Sequence, residues 1–170
     1  MYSNQSREFI ILVEKHQHII NNLCKVYYKT IEDQQDARQD IVLQLWKSFP
    51  NFRGESTINT WIYRVSLNTI LAKIRNQKRR ISTTSLEEEN VFSTPLPIGI
   101  DDDVQQLKII IDALKEQDKA VVILHLEGYK NKEIAVILET TPSNVSTRLN
   151  RIKTTLKNYY KKYSDADQSI

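Results

Sequence analysis

Apolar residues recur at three- and four-residue spacing along most of the chain, and this period predicts helices rather than strands. Phe9, Leu12, Val13, His16, Ile19, Ile20, Leu23 and Tyr27 mark an amphipathic helix over residues 8–30. The polar run EDQQD (32–36) reads as a break. Beyond it Ala37, Ile41 and Leu45 mark a second helix, from near Asp36 through Trp46. Pro50 and Gly54 punctuate the following turn. Ser56 suits the N-cap of a third helix over 57–79, whose buried stripe is Ile58, Trp61, Ile62 and Val65 and whose end is the basic run KIRNQKRR.

The pattern then stops. Residues 82–103 hold STTS, three consecutive glutamates, two prolines, Gly99 and three consecutive aspartates. Such a stretch has little to bury and reads as an acidic, flexible linker. Helical periodicity returns over 104–163. Ile134, Ala135 and Leu138 give a short helix, Glu139–Thr141 a tight turn without glycine, and Pro142 the first position of a new helix. Val145, Leu149, Ile152 and Leu156 continue it at i, i+4, i+7 and i+11. The expected fold is all-α: two small helical domains, 1–81 and 104–163, joined by the linker 82–103, with a disordered tail at 164–170. The second domain contains a helix-turn-helix.

Composition narrows the function classes. The formal net charge is +3, too small to argue for a polyanionic partner by itself, so the distribution of charge matters more. No apolar run is long enough to span a bilayer, and MYSNQSREF is no secretory signal, so neither membrane insertion nor export is expected. The single cysteine, Cys24, lies among Ile19, Ile20, Leu23 and Val26 and reads as a core residue of a protein from a reducing compartment. His16, His18 and His125 are scattered without metal-ligand spacing, and His16 falls on the apolar stripe. There is no glycine-rich phosphate loop and no serine elbow. No catalytic set, metal or cofactor is expected.

Two polar faces stand out. In DARQDIVLQLW (36–46), Asp36, Gln39, Asp40 and Leu43 share a stripe away from the apolar one. A leucine between carboxylates on an exposed face suits a protein-docking surface, and a capped helix start with favourable dipole placement explains the same acids without a partner. In the last helix, rotation of about 100° per residue puts Ser143, Thr147, Asn150, Arg151 and Thr154 opposite the apolar stripe, with Asn144 and Ser146 flanking. Short donors and acceptors with arginine suit base edges and phosphates in a major groove. Lys153, Lys157, Lys161 and Lys162 would extend the phosphate footprint. A solvated helical hairpin is the plainer reading of this block.

Taken together, the chain resembles bacterial RNA polymerase sigma factors of the extracytoplasmic function (ECF) group. DARQDIVLQLWKSFPNFRGESTINTWIYRVSLN looks like that family's region 2, and EQDKAVVILHLEGYKNKEIAVILETTPSNVSTRLNRIKTTL looks like its region 4. The acidic linker falls where the family has one. The resemblance implies that Asp36, Gln39, Asp40 and Leu43 dock on the clamp helices of the polymerase's largest subunit. It implies that Asn68 lies by a flipped base of the non-template strand at the minus-ten promoter element, with Phe52 near the same loop. Trp61 matches a position linked to strand separation, although it also lies on the buried stripe. Arg64, Lys73, Arg75, Lys78, Arg79 and Arg80 would hold backbone phosphates. Ser143, Asn144, Ser146, Thr147, Arg148, Asn150 and Arg151 would read the minus-thirty-five element. Ser146 and Asn150 depart from the family, where Lys or Arg and a bulkier residue are frequent, which leaves the promoter sequence open.

The resemblance implies a non-enzymatic, cytoplasmic bacterial initiation factor whose partners are core RNA polymerase, promoter DNA and an anti-sigma factor. The alternative is a stand-alone helix-turn-helix regulator. In that case the stretch NFRGESTINTWIYRVSLN has no evident task.

Overall fold

A computed structural model describes residues 4–82, 109 and 111–167, with side chains as far as 80 and 158. The described residues are helical, without strands. They fall into two compact units divided between residues 86 and 87.

The first unit is three helices, each packed on the other two: α1 (Asn4–Tyr27), α2 (Ile31–Ser48) and α3 (Ile58–Ser82). Its core is Phe9, Ile19, Ile20, Leu23 and Cys24 from α1, Ala37, Ile41 and Leu45 from α2, and Trp61, Ile62, Tyr63, Leu67 and Ile70 from α3. Cys24 is a buried core residue, and burial pushes its thiol pKa up. The buried arc of α3 is wider than the expected stripe, because the helix meets both neighbours. It takes in Tyr63, Ser66, Leu67 and Ile70, while Ile58 and Val65 stay only partly covered.

The helix starts differ from those expected. EDQQD is no break: α2 begins at Ile31 and runs through it. Thr30 is the N-cap, its Oγ1 accepting from the Asp33 amide at 3.1 Å and donating to Asp33 Oδ2 at 2.7 Å. Glu32 and Asp33 sit in the first turn, where carboxylates complement the helix dipole. Asp36 therefore lies inside the helix and does not cap it. At α3 the cap is Thr57 rather than Ser56, with Oγ1 accepting from the Thr60 amide at 3.2 Å. Between α2 and α3 lie a short 3-10 turn, Phe49–Asn51, and Gly54.

The second unit packs α4 (Glu116–Leu126), α5 (Asn131–Ile137) and α6 (Pro142–Asp167) around Ala120, Val121, Val122, Leu124, Ile134, Ala135, Ile137, Val145, Leu149 and Ile152. Glu133 starts α5 by accepting from the Lys130 amide at 2.8 Å. Glu139 ends it in the left-handed region, at φ +52°, while the Thr140 amide reaches back to the Ala135 carbonyl at 2.9 Å. Thr141 caps α6 through the Asn144 amide at 3.2 Å, and Pro142 opens that helix. A glutamate thus does the work usually given to glycine at a helix C-terminus. Helix α3 takes in residue 82, where the linker was expected to start, and α6 continues to Asp167, past the expected tail boundary at 164. The rest of the 82–103 stretch and residues 168–170 lie outside the described residues.

Candidate protein and nucleic-acid interfaces

In the first unit, α2 sends Asp36, Gln39 and Leu43 to the surface, with Leu43 49% exposed, and leaves Asp40 half-buried. Beside Gln39 and Leu43 lies a shallow, almost wholly apolar depression completed by Phe9, Arg38, Val42 and Trp46. Phe9 supports Trp46 edge-on at a centroid distance of 5.0 Å. Val42 and Trp46 extend this surface beyond the residues that the sequence points to. Their spacing to Gln39 and Leu43 was visible, but only the packing of Phe9 under Trp46 makes the depression. An apolar floor rimmed by polar and charged groups can seat a helix of another protein.

Asp40 turns the other way. Its Oδ2 accepts from Lys73 Nζ of α3 at 2.6 Å. The resemblance gives these two residues different partners, polymerase and phosphate. In this structure they are one ion pair spanning α2 and α3, so neither is an uncommitted charge. Together with Gln44 and Ser48 from α2 and Asn68, Thr69, Asn76, Gln77 and Arg80 from α3, they line an open groove along the two helices. Amides, hydroxyls and cations along one trough match the backbone and base edges of a single nucleic-acid strand.

The groove does not gather every residue expected at the minus-ten element. Trp61 is only 5% exposed and packs as a core residue against Phe49 and Phe52, at centroid distances of 6.3 and 5.1 Å. Trp61 thus takes the core place that its position on the buried stripe allowed, against the partly exposed Phe52. Phe52 and Arg64 do not line the groove. Arg75, Lys78 and Arg79 are exposed along the C-terminal turns of α3, where cations also complement the helix dipole.

In the second unit, α6 exposes Ser143, Asn144, Thr147, Asn150 and Arg151. Three of the expected readers are engaged within the unit. Ser146 faces α5: its Oγ accepts from Asn131 Nδ2 at 2.9 Å and donates to the Pro142 carbonyl at 2.9 Å. It holds the two helices of the helix-turn-helix together. Arg148 lies along its own unit, giving Nε to Asn144 Oδ1 (2.7 Å), Nη1 to Asp118 Oδ1 (2.7 Å) and Nη2 to Gln117 Oε1 (2.6 Å). Arg151 gives Nη2 to Asp118 Oδ2 at 2.7 Å. Periodicity put Arg151 on the outer face of α6, but it could not show a carboxylate waiting on α4. Arg148 and Arg151 still border, with Thr141, Ser143, Asn144 and Thr147, a shallow polar recess at the start of the helix.

Among the described residues no cluster of His, Cys, Asp and Glu could hold a metal ion, and no helix is long and apolar enough to cross a membrane.

Two sequence families match the chain in order. The family described as Sigma-70 region 2 matches residues 12–80, and Sigma-70, region 4 matches residues 105–156. The chain belongs to the sigma-70 family of RNA polymerase sigma factors. Relatives within that family include ECF factors. The ECF RNA polymerase sigma-E factor of Escherichia coli K12 is 26% identical over 165 residues, covering 89% of this chain and 86% of that protein. The RNA polymerase sigma-H factor of Pseudomonas aeruginosa is 24% identical over 160 residues, covering 86% and 83%. Two solved structures share the fold. The sigma factor RpoE, in complex with the anti-sigma factor NepR from Bartonella quintana, has a TM-score of 0.68 at 17% identity over 92% of this chain and 96% of that one. CnrH, in complex with the cytosolic domain of CnrY, has a TM-score of 0.61 at 18% identity over 95% and 90%. In this sigma-70 family member, region 2 coincides with the three-helix unit and its two surface features, and region 4 with the unit that carries α6.

Proposed function

We propose that this chain is an ECF-type sigma factor: it binds core RNA polymerase, recognises promoter DNA and directs initiation at a specific gene set. The observation that carries the reading is the joint match of regions 2 and 4, in order, on one chain. A lone helix-turn-helix would not distinguish an initiation factor from an operator-binding regulator. The chain supplies promoter choice and strand opening in the cytoplasm, and nucleotidyl transfer belongs to the polymerase.

The geometry supports a division of labour. Asp36, Gln39 and Leu43, with Val42 and Trp46, form the docking face on α2, the carboxylate steering a basic partner and the apolar floor giving contact area. The groove lined by Asn68, Thr69, Lys73 and Arg80 takes the separated non-template strand, with Asn68 bonding a flipped base. Asp40 joins the two, pairing with Lys73 in the free chain. The exposed polar face of α6 reads the upstream duplex. An anti-sigma partner is part of this reading, supported by the two structural neighbours solved with anti-sigma factors.

Run-off transcription from genomic fragments, with core polymerase in the presence and absence of the chain, tests the reading. Transcripts that require the chain, and that fade with the double reversal Asp36→Lys and Asp40→Lys, are expected. Duplex binding without polymerase binding or initiation would instead make the chain a stand-alone regulator.

A further inference from the structure

Asp118 belongs to none of the surfaces described so far. It stands in the first turn of α4, its side chain only 6% exposed, and it is the buried charged residue of the second unit's described core. A carboxylate removed from water needs partners that replace its hydration. Here both partners come from α6. Arg148 donates Nη1 to Oδ1 at 2.7 Å, and Arg151 donates Nη2 to Oδ2 at 2.7 Å and to Oδ1 at 3.0 Å.

The two arginines are held unequally. Arg148 has Nε and both terminal nitrogens engaged, by Asn144, Asp118 and Gln117, and its side chain is 26% exposed. Arg151 is gripped through Nη2, and its side chain is 60% exposed. One carboxylate therefore pins two guanidiniums against the unit and cancels one of their two charges. It does so at the edge of the recess formed by Thr141, Ser143, Asn144 and Thr147.

We infer that Asp118 is a positioning residue that sets the specificity of α6 for duplex DNA, by keeping Arg148 and Arg151 from reaching phosphates indiscriminately. This rests on the reading of α6 as the DNA-binding helix. An arginine on a long, free stem binds any phosphate, and phosphate contacts carry affinity without sequence information. Held by Asp118, Arg148 becomes a fixed wall of the recess. Arg151 presents its outer edge in one orientation, and the short side chains of Ser143, Asn144 and Thr147 meet the bases. Without the carboxylate both guanidiniums swing out as non-specific anchors.

The test uses the full chain bound to core RNA polymerase and two duplexes: one that the wild-type complex selects from a random pool, and the same duplex scrambled. Asp118→Asn keeps the shape and removes the charge. The variant is expected to bind the scrambled duplex more tightly than wild type. Its preference for the selected duplex should fall by about 5–150-fold, the range for losing one well-placed base contact. Its log affinity against log salt should steepen by about 0.9 for each phosphate newly held. Adding Arg148→Met to Asp118→Asn should take back part of that extra slope. A merely structural role would weaken binding to both duplexes alike, with preference and slope unchanged, and that result overturns the inference. If Asp118→Asn does not fold by circular dichroism, Arg148→Met alone decides. An unchanged salt slope is expected, and a loss of about 0.9 would show that Arg148 already holds a phosphate, contrary to the inference. A wild-type complex with core polymerase that selects no duplex would overturn the reading of α6 itself, and the inference with it. Retained selectivity with an unaltered slope in Asp118→Asn overturns the inference alone.

Discussion

Gly54 takes φ +73°, and a Cβ added there would meet nothing within 4 Å. The glycine is needed for the backbone angle of the turn into α3, not for space within the chain. Gly54→Ala should therefore cost about 1 kcal/mol, the left-handed penalty of an L-residue, read as a lower urea midpoint by tryptophan fluorescence. A loss of several kcal/mol would mean that the turn has a steric role as well. His16 has its pKa lowered, first by burial and then by the charges of Lys15 and His18, against a hydrogen bond with Asn59 that raises it. The folded state prefers neutral His16, so the unfolded chain binds more protons below the ordinary histidine value of 6.5. Stability contributed by this group is present above that value and lost as pH falls through it toward the folded pKa. Urea midpoints at pH 7.5 and pH 5.5 should accordingly converge in His16→Gln relative to wild type. An identical pH dependence in both proteins would contradict this.

At the scale of elements, the turn between α5 and α6 fixes the pose of the helix-turn-helix. Glu139 holds a conformation that costs an L-residue about 1–2 kcal/mol. Glycine would remove that cost but add about 0.4–1 kcal/mol of unfolded-state entropy. Glu139→Gly should then stabilise the second unit by about 0.5 kcal/mol, visible as a higher midpoint by circular dichroism. The starts of α2 and α3 show why element boundaries are hard to read from sequence. EDQQD is polar, and polarity alone suggests a break. With Thr30 capping, the same acids become a favourable first turn. Ser56 and Thr57 are both able caps, and it is the Thr57 hydroxyl that takes the Thr60 amide.

At the scale of the molecule, each unit has its own apolar core, and both tryptophans, Trp46 and Trp61, lie in the first. Fluorescence therefore reports one unit and circular dichroism both. Ile41→Ala, at a fully buried site of α2, should cost about 2–5 kcal/mol and shift the fluorescence transition. Ile137→Ala, equally buried in α5, should shift only the part of the circular dichroism transition that fluorescence does not follow. Fluorescence midpoints that move with both substitutions would show that the units unfold as one.

Helix content, the two blocks and the helix-turn-helix were determined by the sequence itself, because an apolar residue every three or four positions and a proline or capping residue at a boundary are local signals. The residues that make the resemblance, from Asp36 to Asn68 and from Glu116 to Leu156, were equally open to reading. What each side chain touches was decided only by the tertiary structure. Trp61 went to the core, Ser146 to α5, Lys73 to Asp40, and Arg148 and Arg151 to Asp118. Periodicity says which side of its own helix a residue occupies. It cannot say whether another helix, distant in the chain, brings a carboxylate or a ring to that side, and for these residues that contact determines what remains available to a partner.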